Sequence, residues 1–155
     1  MEHLNFLENA RSELKIADHM LYVTIPLLSE KMLINSVIDH LYKSMLNGML
    51  ARLEYEKYYK KIFSLPKEEE SIIDLFFERN KEMFEKEGEL LKNLKEFIQF
   101  YNSAKKSRIE LKNKNELLVI SDAFEMIRVD EAKIKNYCES IKKLLMIIEG
   151  EIGGK

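Results

Sequence analysis

Two Asp-His pairs stand close together near the start of the chain, Asp18-His19 and Asp39-His40, each followed by a tyrosine, Tyr22 and Tyr42. Imidazole beside carboxylate is what general acid–base chemistry or a metal site requires. Whether they can act together depends on the helices carrying them. On one continuous helix, the interval from His19 to His40 would separate the rings by roughly 30 Å. If the chain turns back near Leu27, the axial offset is still roughly 7–8 Å. Neither spacing allows the ~2 Å ligand distances of one zinc ion. His40 also shares a helical face with Ser36, Lys43, Ser44 and Asn47, so both histidines are expected to be structural or solvated, with no metal and no cofactor. A diiron bundle would need Glu three residues before His, and those positions hold Ile16 and Val37. No Gly-rich phosphate loop, no His-Glu-x-x-His and no serine elbow is present.

Periodicity supplies the elements that would position these groups. Leu7, Leu14, Leu21 and Leu28 recur every seven residues, with Leu4, Arg11, Asp18 and Ile25 at the second seam position. Pro26 should stop or kink this helix, because it lacks an amide hydrogen and crowds the preceding turn. Ser29 is the expected cap of a second, long helix whose stripe runs from Leu33 to Phe63. Gly48 inside it costs about 1 kcal/mol relative to alanine, which points to a close helix crossing. "SLPKEEES" marks a boundary, with Glu68, Glu69 and Glu70 facing the positive end of the next helix. Apolar pairs continue from Ile72-Ile73 past an expected break at Gly88 to Phe100-Tyr101, and helical period fails after Leu111. "ELLVI" and "FEMIRV" flank "SDA" and read as a β-hairpin, with Asp130 placed to cap a final helix. The expected fold is mainly α, an antiparallel bundle of four to five helices with one short β-hairpin before the last. Residues 1–150 form the domain and 151–155 a flexible tail.

The chain's 155 residues suit one domain with a single core. Apolar and charged fractions of 46% and 34% belong to a globular helical protein. A net charge of −2 gives no overall attraction to nucleic acid or membrane, so any such contact must come from a local patch. Cys138 is the only cysteine, which excludes an intrachain disulfide and a cysteine metal cluster. The acidic, amphipathic start "MEHLNFLENAR" is unlike a signal peptide. The longest uncharged apolar run, Met20 to Leu28, has nine residues, against the ~20 of a membrane helix. A soluble, cytoplasmic protein is expected. Many lysines, few arginines and abundant isoleucine suggest an AT-rich or heat-loving source.

Two charged features carry the functional expectations. Arg11 and Asp18 lie on the leucine seam, where unpaired charge is costly. They stand two turns apart, so each is expected to find a partner on another helix, either at the edge of the seam where both reach water or as a buried polar link that fixes helix register or a dimer. The second feature is basic. "KKSRIELKNK" gathers Lys105, Lys106, Arg108, Lys112 and Lys114 against Glu110 at an expected helix end. "YEKYYKKIF" interleaves Tyr55, Tyr58 and Tyr59 with Lys57, Lys60 and Lys61. Lysines that neutralise phosphates and tyrosines that stack on bases make a platform for single-stranded RNA. The same residues could also form a solvated helix with its aromatic body turned inward.

"LENARSELKIADHMLYVT" resembles the opening of a group of uncharacterised archaeal all-helical proteins. Their pattern falls here on Leu7, Ala10, Glu13, Leu14, Lys15, Ala17, Asp18, His19, Tyr22 and Val23. The resemblance covers about eighteen residues closely and the later order of elements loosely, and implies a source and a fold more than an activity. More distantly the bundle is similar to HEPN-like helical domains, which implies dimerisation and action on RNA. Their nuclease motif places four to six residues between Arg and His. Here seven separate Arg11 from His19, which speaks against cleavage. The leading expectation is a non-catalytic, homodimeric helical domain that binds RNA. The alternatives are a degenerate HEPN-type ribonuclease using Arg11, Asp18 and His19, and a protein-interaction module partnering a nucleotidyltransferase.

Overall fold

A computed structural model describes residues 2–28, 33–105, 108–113, 116–120 and 126–153, and the backbone alone within 108–129. The chain is mainly helical. It runs α1 (Glu2–His19), a π-helical turn (Met20–Thr24), α2 (Ile25–Leu28), α3 (Ile34–Tyr58), α4 (Glu69–Arg79), α5 (Lys81–Glu85) and α6 (Gly88–Lys105). After strands β1 (Arg108–Asn113), β2 (Glu116–Ile120) and β3 (Met126–Asp130) comes α7 (Glu131–Gly153). The expected Ser29 cap lies outside the described residues.

Pro26 neither ends nor sharply interrupts the first helix. The Ile25 amide donates to the Met20 carbonyl, five residues back, so the turn ahead of the proline is widened. A proline ring clashes with the carbonyl four residues earlier, and π-helical widening moves that carbonyl, on Tyr22, out of its way. Leu7, Leu21 and Ile25 are buried on the expected seam, but its second line moves by one residue along α1, from Leu4, Arg11 and Asp18 to His3, Ala10 and Ala17. Leu4 is 49% exposed. Ala10 and Ala17 let α3 approach closely, and the buried Ser44 hydroxyl donates to the Ala10 carbonyl at 2.8 Å.

The contacts define the bundle's directions. α1 is antiparallel to α3, where Glu13 meets His40, and to α7, where Arg11 meets Glu149 and Asp18 meets Lys142. α6 is antiparallel to α7, through Glu96–Lys133 and Glu87–Lys143. Gly48 faces α7 directly: a Cβ added there would lie 2.5 Å from Leu145 Cδ2, the close crossing that its position implied. The core between these helices includes Phe76, Leu94, Phe97, Ile134, Tyr137 and Ile141, all at most 2% exposed.

Four features differ from the sequence reading. α3 stops at Tyr58, not Phe63, because Lys60 adopts φ 60 and reverses the chain. The Lys60 amide donates to the Lys57 carbonyl and the Lys61 amide to the Glu56 carbonyl, the paired bonds that close a helix through a left-handed residue. The basic segment starts at a helix end as expected, with Lys105 closing α6, but Arg108 and Lys112 lie on strand β1. The two runs expected to pair there are β2 and β3, and β1 adds a strand that was not expected: the three form one antiparallel sheet in chain order, with Arg108 opposite Ile120 and Glu116 opposite Asp130. Lastly, Glu151 to Gly153 of the expected tail are helical, and residues 154–155 lie outside the described residues. α7 continues through Glu151 and the buried Ile152, held where the Arg52 Nε donates to a Glu151 oxygen at 2.6 Å. Asp130 caps α7, its Oδ1 accepting from the Lys133 amide at 2.8 Å.

Candidate nucleic-acid interface

The Asp-His pairs do not form one site. His40 is committed to Glu13 on α1, and His19 Nδ1 lies 3.3 Å from Thr24 Oγ1 within its own helical run. Nor are Arg11, Asp18 and His19 brought together. Arg11 Nε donates to Glu149 at 2.6 Å and Asp18 pairs with Lys142, while His19 points to Thr24. The pairs Arg11–Glu149 and Asp18–Lys142 are seven residues apart on both helices, so they fix the register of α1 against α7, as seam charges with partners on another helix should.

Around Asp18 a polar network exists that no sequence pattern announced. Lys142 Nζ bridges Asp18 and Glu139, and the Tyr22 hydroxyl donates to Glu139 at 3.0 Å. The Lys142 ammonium lies 5.1 Å above the Tyr22 ring. Burial, and then the Glu139 carboxylate, push the Tyr22 phenol up to about 12. Ligand atoms of Asp18, Cys138 and Glu139 lie within 4.8 Å of one another, a spacing that would suit a metal. The set has its own cation, however, because Lys142 already spans both carboxylates. Burial pushes the Cys138 thiol up to about 12, away from the thiolate that a metal binds. This network ties helices together.

The basic–aromatic segment is arranged differently. The last turns of α3 carry Tyr55, Tyr58 and Tyr59 around the buried His3 of α1. His3 meets Tyr55 edge-on at 5.5 Å and Tyr58 at 5.8 Å, and Tyr59 lies 4.8 Å from Tyr55 and 5.1 Å from Tyr58. The rings brace one another, yet Tyr58 and Tyr59 remain 56% and 55% exposed and Phe63 is fully exposed. Large aromatic rings normally carry their surface into a core or an interface. Lys57, Lys60 and Lys61 are exposed beside them, and among the described residues none has an acidic partner. The nearby Glu56 does not offset them. It is buried between Arg52 at 3.7 Å and Arg79 at 3.0 Å. The α3 end is therefore an open face of rings packed edge-on and tilted against one another, with unpaired cations around it.

Lys105 closes α6 and is exposed. Arg108 and Lys112 lie on β1, where the backbone alone is described, and Lys106 and Lys114 lie outside the described residues. Lys105 is at the opposite end of the bundle from Tyr58, since Asp39 near it and Tyr58 are separated by nineteen residues of α3, roughly 28 Å. Lys105 therefore shares no patch with the end of α3. No helix among the described residues is long and apolar enough to cross a membrane. No protein-family model, no curated protein and no solved structure matches this chain.

Proposed function

We propose that this chain is a non-catalytic helical domain that binds single-stranded RNA through the end of α3. The observation that carries the reading is the exposure of Tyr58, Tyr59 and Phe63 next to Lys57, Lys60 and Lys61. Exposed tyrosines stack on bases of any identity, and the lysines neutralise the backbone alongside. Lys60 adds a second argument. A lysine at φ 60 is strained where glycine would be relaxed, and such strain gathers at working positions. The left-handed residue turns the chain so that Lys60 and Lys61 leave the helix beside Tyr58 and Tyr59.

The test is anisotropy of a labelled single-stranded RNA at two salt concentrations, with the RNA run on a gel afterwards. Salt-sensitive binding by an intact strand is expected, weakened several-fold or more in the Tyr58→Ala/Tyr59→Ala variant, because each stacked base contributes about 1–3 kcal/mol. Salt-insensitive binding, unchanged affinity in that variant, or cleavage lost in His19→Ala would overturn the reading.

A further inference from the structure

At the other end of α3, a half-open cavity of about 200 Å³ is lined by Asn35, Ile38, Asp39, Tyr101, Ala104 and Lys105. Pockets for drug-sized ligands begin at about 300 Å³, so this one suits a single ring system. Its Tyr101 wall is already in place. Tyr42 stacks on Tyr101 with centroids 3.7 Å apart and planes 4° from parallel. Tyr42 is itself buried and donates its hydroxyl to Glu69 at 3.0 Å. Tyr101, one face of which is covered by this stack, lines the cavity together with Ile38 and Ala104. Burial, then Asp39 and Glu69, hold the Tyr101 phenol above its ordinary value, so it stays neutral.

The polar groups of the rim are uncommitted. Among the described residues, Asn35, Asp39 and Lys105 make neither hydrogen bond nor ion pair. An ionised Asp39 accepts only, through two oxygens. A planar ligand stacked on Tyr101 must then offer two adjacent donors. Among the RNA bases, guanine alone does so on its Watson–Crick edge, through N1–H and the 2-amino group. Adenine and cytosine set one amino donor beside an acceptor, which would oppose the second carboxylate oxygen. A guanidinium would also fit Asp39, but the Lys105 ammonium at the same rim repels a cation and attracts a phosphate.

We infer that this cavity holds one guanine base bearing a phosphate, with Tyr101 as its stacking surface, Asp39 accepting from its Watson–Crick edge and Lys105 on the phosphate. The inference extends the RNA reading by naming a second, base-selective contact, and it stands or falls separately. The shared chemistry has two sources, a free guanosine nucleotide or a guanosine within a strand.

Calorimetric titration with GMP, AMP, CMP and UMP tests it on the intact chain. Saturable GMP binding is expected, at least about tenfold tighter than for the other three. D39N should remove that preference, while K105A should weaken GMP and leave guanosine unchanged. Asp39 and Lys105 are exposed, so both variants should fold, and circular dichroism checks that they do. Oligouridylate with and without one guanosine separates the sources: added affinity from that guanosine assigns the pocket to RNA, and GMP binding without it assigns a free nucleotide. Equal affinity for all four nucleotides, no GMP binding at millimolar concentration, or tighter binding of an arginine peptide would overturn the pocket. Tyr58→Ala/Tyr59→Ala should leave GMP binding intact, so loss of the α3 face and loss of the pocket are read independently.

Discussion

Replacing Lys60 with glycine separates the strain at the end of α3 from the charge that the strained residue carries. An L-residue in the left-handed region costs about 1–2 kcal/mol, and Lys60 occupies it at φ 60. Glycine removes that cost but brings about 0.5–1 kcal/mol of extra unfolded-chain entropy. K60G should therefore stabilise the fold by a net of roughly 0.5–1 kcal/mol, raising Tm by about 1–4 °C for a chain of this size. K60A removes the charge and keeps the strained φ, so it should show no such gain. Both variants should weaken RNA binding alike, and each should reduce the slope of log K against log salt by about 0.7 for one phosphate contact. Urea denaturation followed by far-ultraviolet circular dichroism measures the first effect, and anisotropy across a salt series the second. Equal stability of K60G and K60A would refute the strain argument, and an unchanged salt slope would refute the phosphate contact.

Gly48→Ala gains about 1 kcal/mol of helix propensity but drives a Cβ against the Leu145 methyl, an overpacking cost of about 1–3 kcal/mol. A net loss of up to about 2 kcal/mol is expected in urea melts, and a smaller loss when Gly48→Ala is made in a Leu145→Ala background, whereas a simple gain would disprove the close crossing. Arg11→Glu should cost less than about 1 kcal/mol, because the Arg11 and Glu149 side chains are 55% and 34% exposed. Adding Glu149→Arg should restore that loss at low salt, and failure to restore it would contradict the register pairing. Burial, above all, lowers the His3 imidazole below its ordinary value, so the unfolded chain binds more protons there. His3 then contributes stability that is fully present above the unfolded value of ~6.5 and is lost as pH falls from there through the lower folded value. Melts between pH 7.5 and 5.5 should fall more steeply for the wild type than for His3→Gln, and parallel curves would contradict this.

What the sequence made legible was mostly local. The helical stripes, the cap at Asp130 and the crossing at Gly48 follow from periodicity and from residues with a single good use. The expected partners of Arg11 and Asp18 were inferred from the cost of unpaired seam charge, and α7 supplies them. What was misread depended on neighbours far along the chain. The choice of Ala10 and Ala17 over Arg11 and Asp18 as the buried seam is made by α3, which needs small residues to pack closely. The π-helical turn that admits Pro26 and the left-handed Lys60 that ends α3 are backbone solutions with no residue signature, since glycine would have been the usual marker for the second. Tyr58, Tyr59 and the flanking lysines were visible as a pattern, but their exposure was not. The cavity beside Tyr101 joins Asn35 and Asp39 to Lys105 across more than sixty residues, and only packing brings them together.

The central claim is that the exposed end of α3 meets the RNA. Ultraviolet crosslinking of a 4-thiouridine-containing single strand, with the attachment sites mapped by mass spectrometry, tests it most directly. The account predicts adducts within residues 55–63, centred on Tyr58, Tyr59 and Phe63 and diminished at high salt. Adducts confined to α1 and α7 around Asp18 and Lys142, or no adduct at low salt, would contradict it.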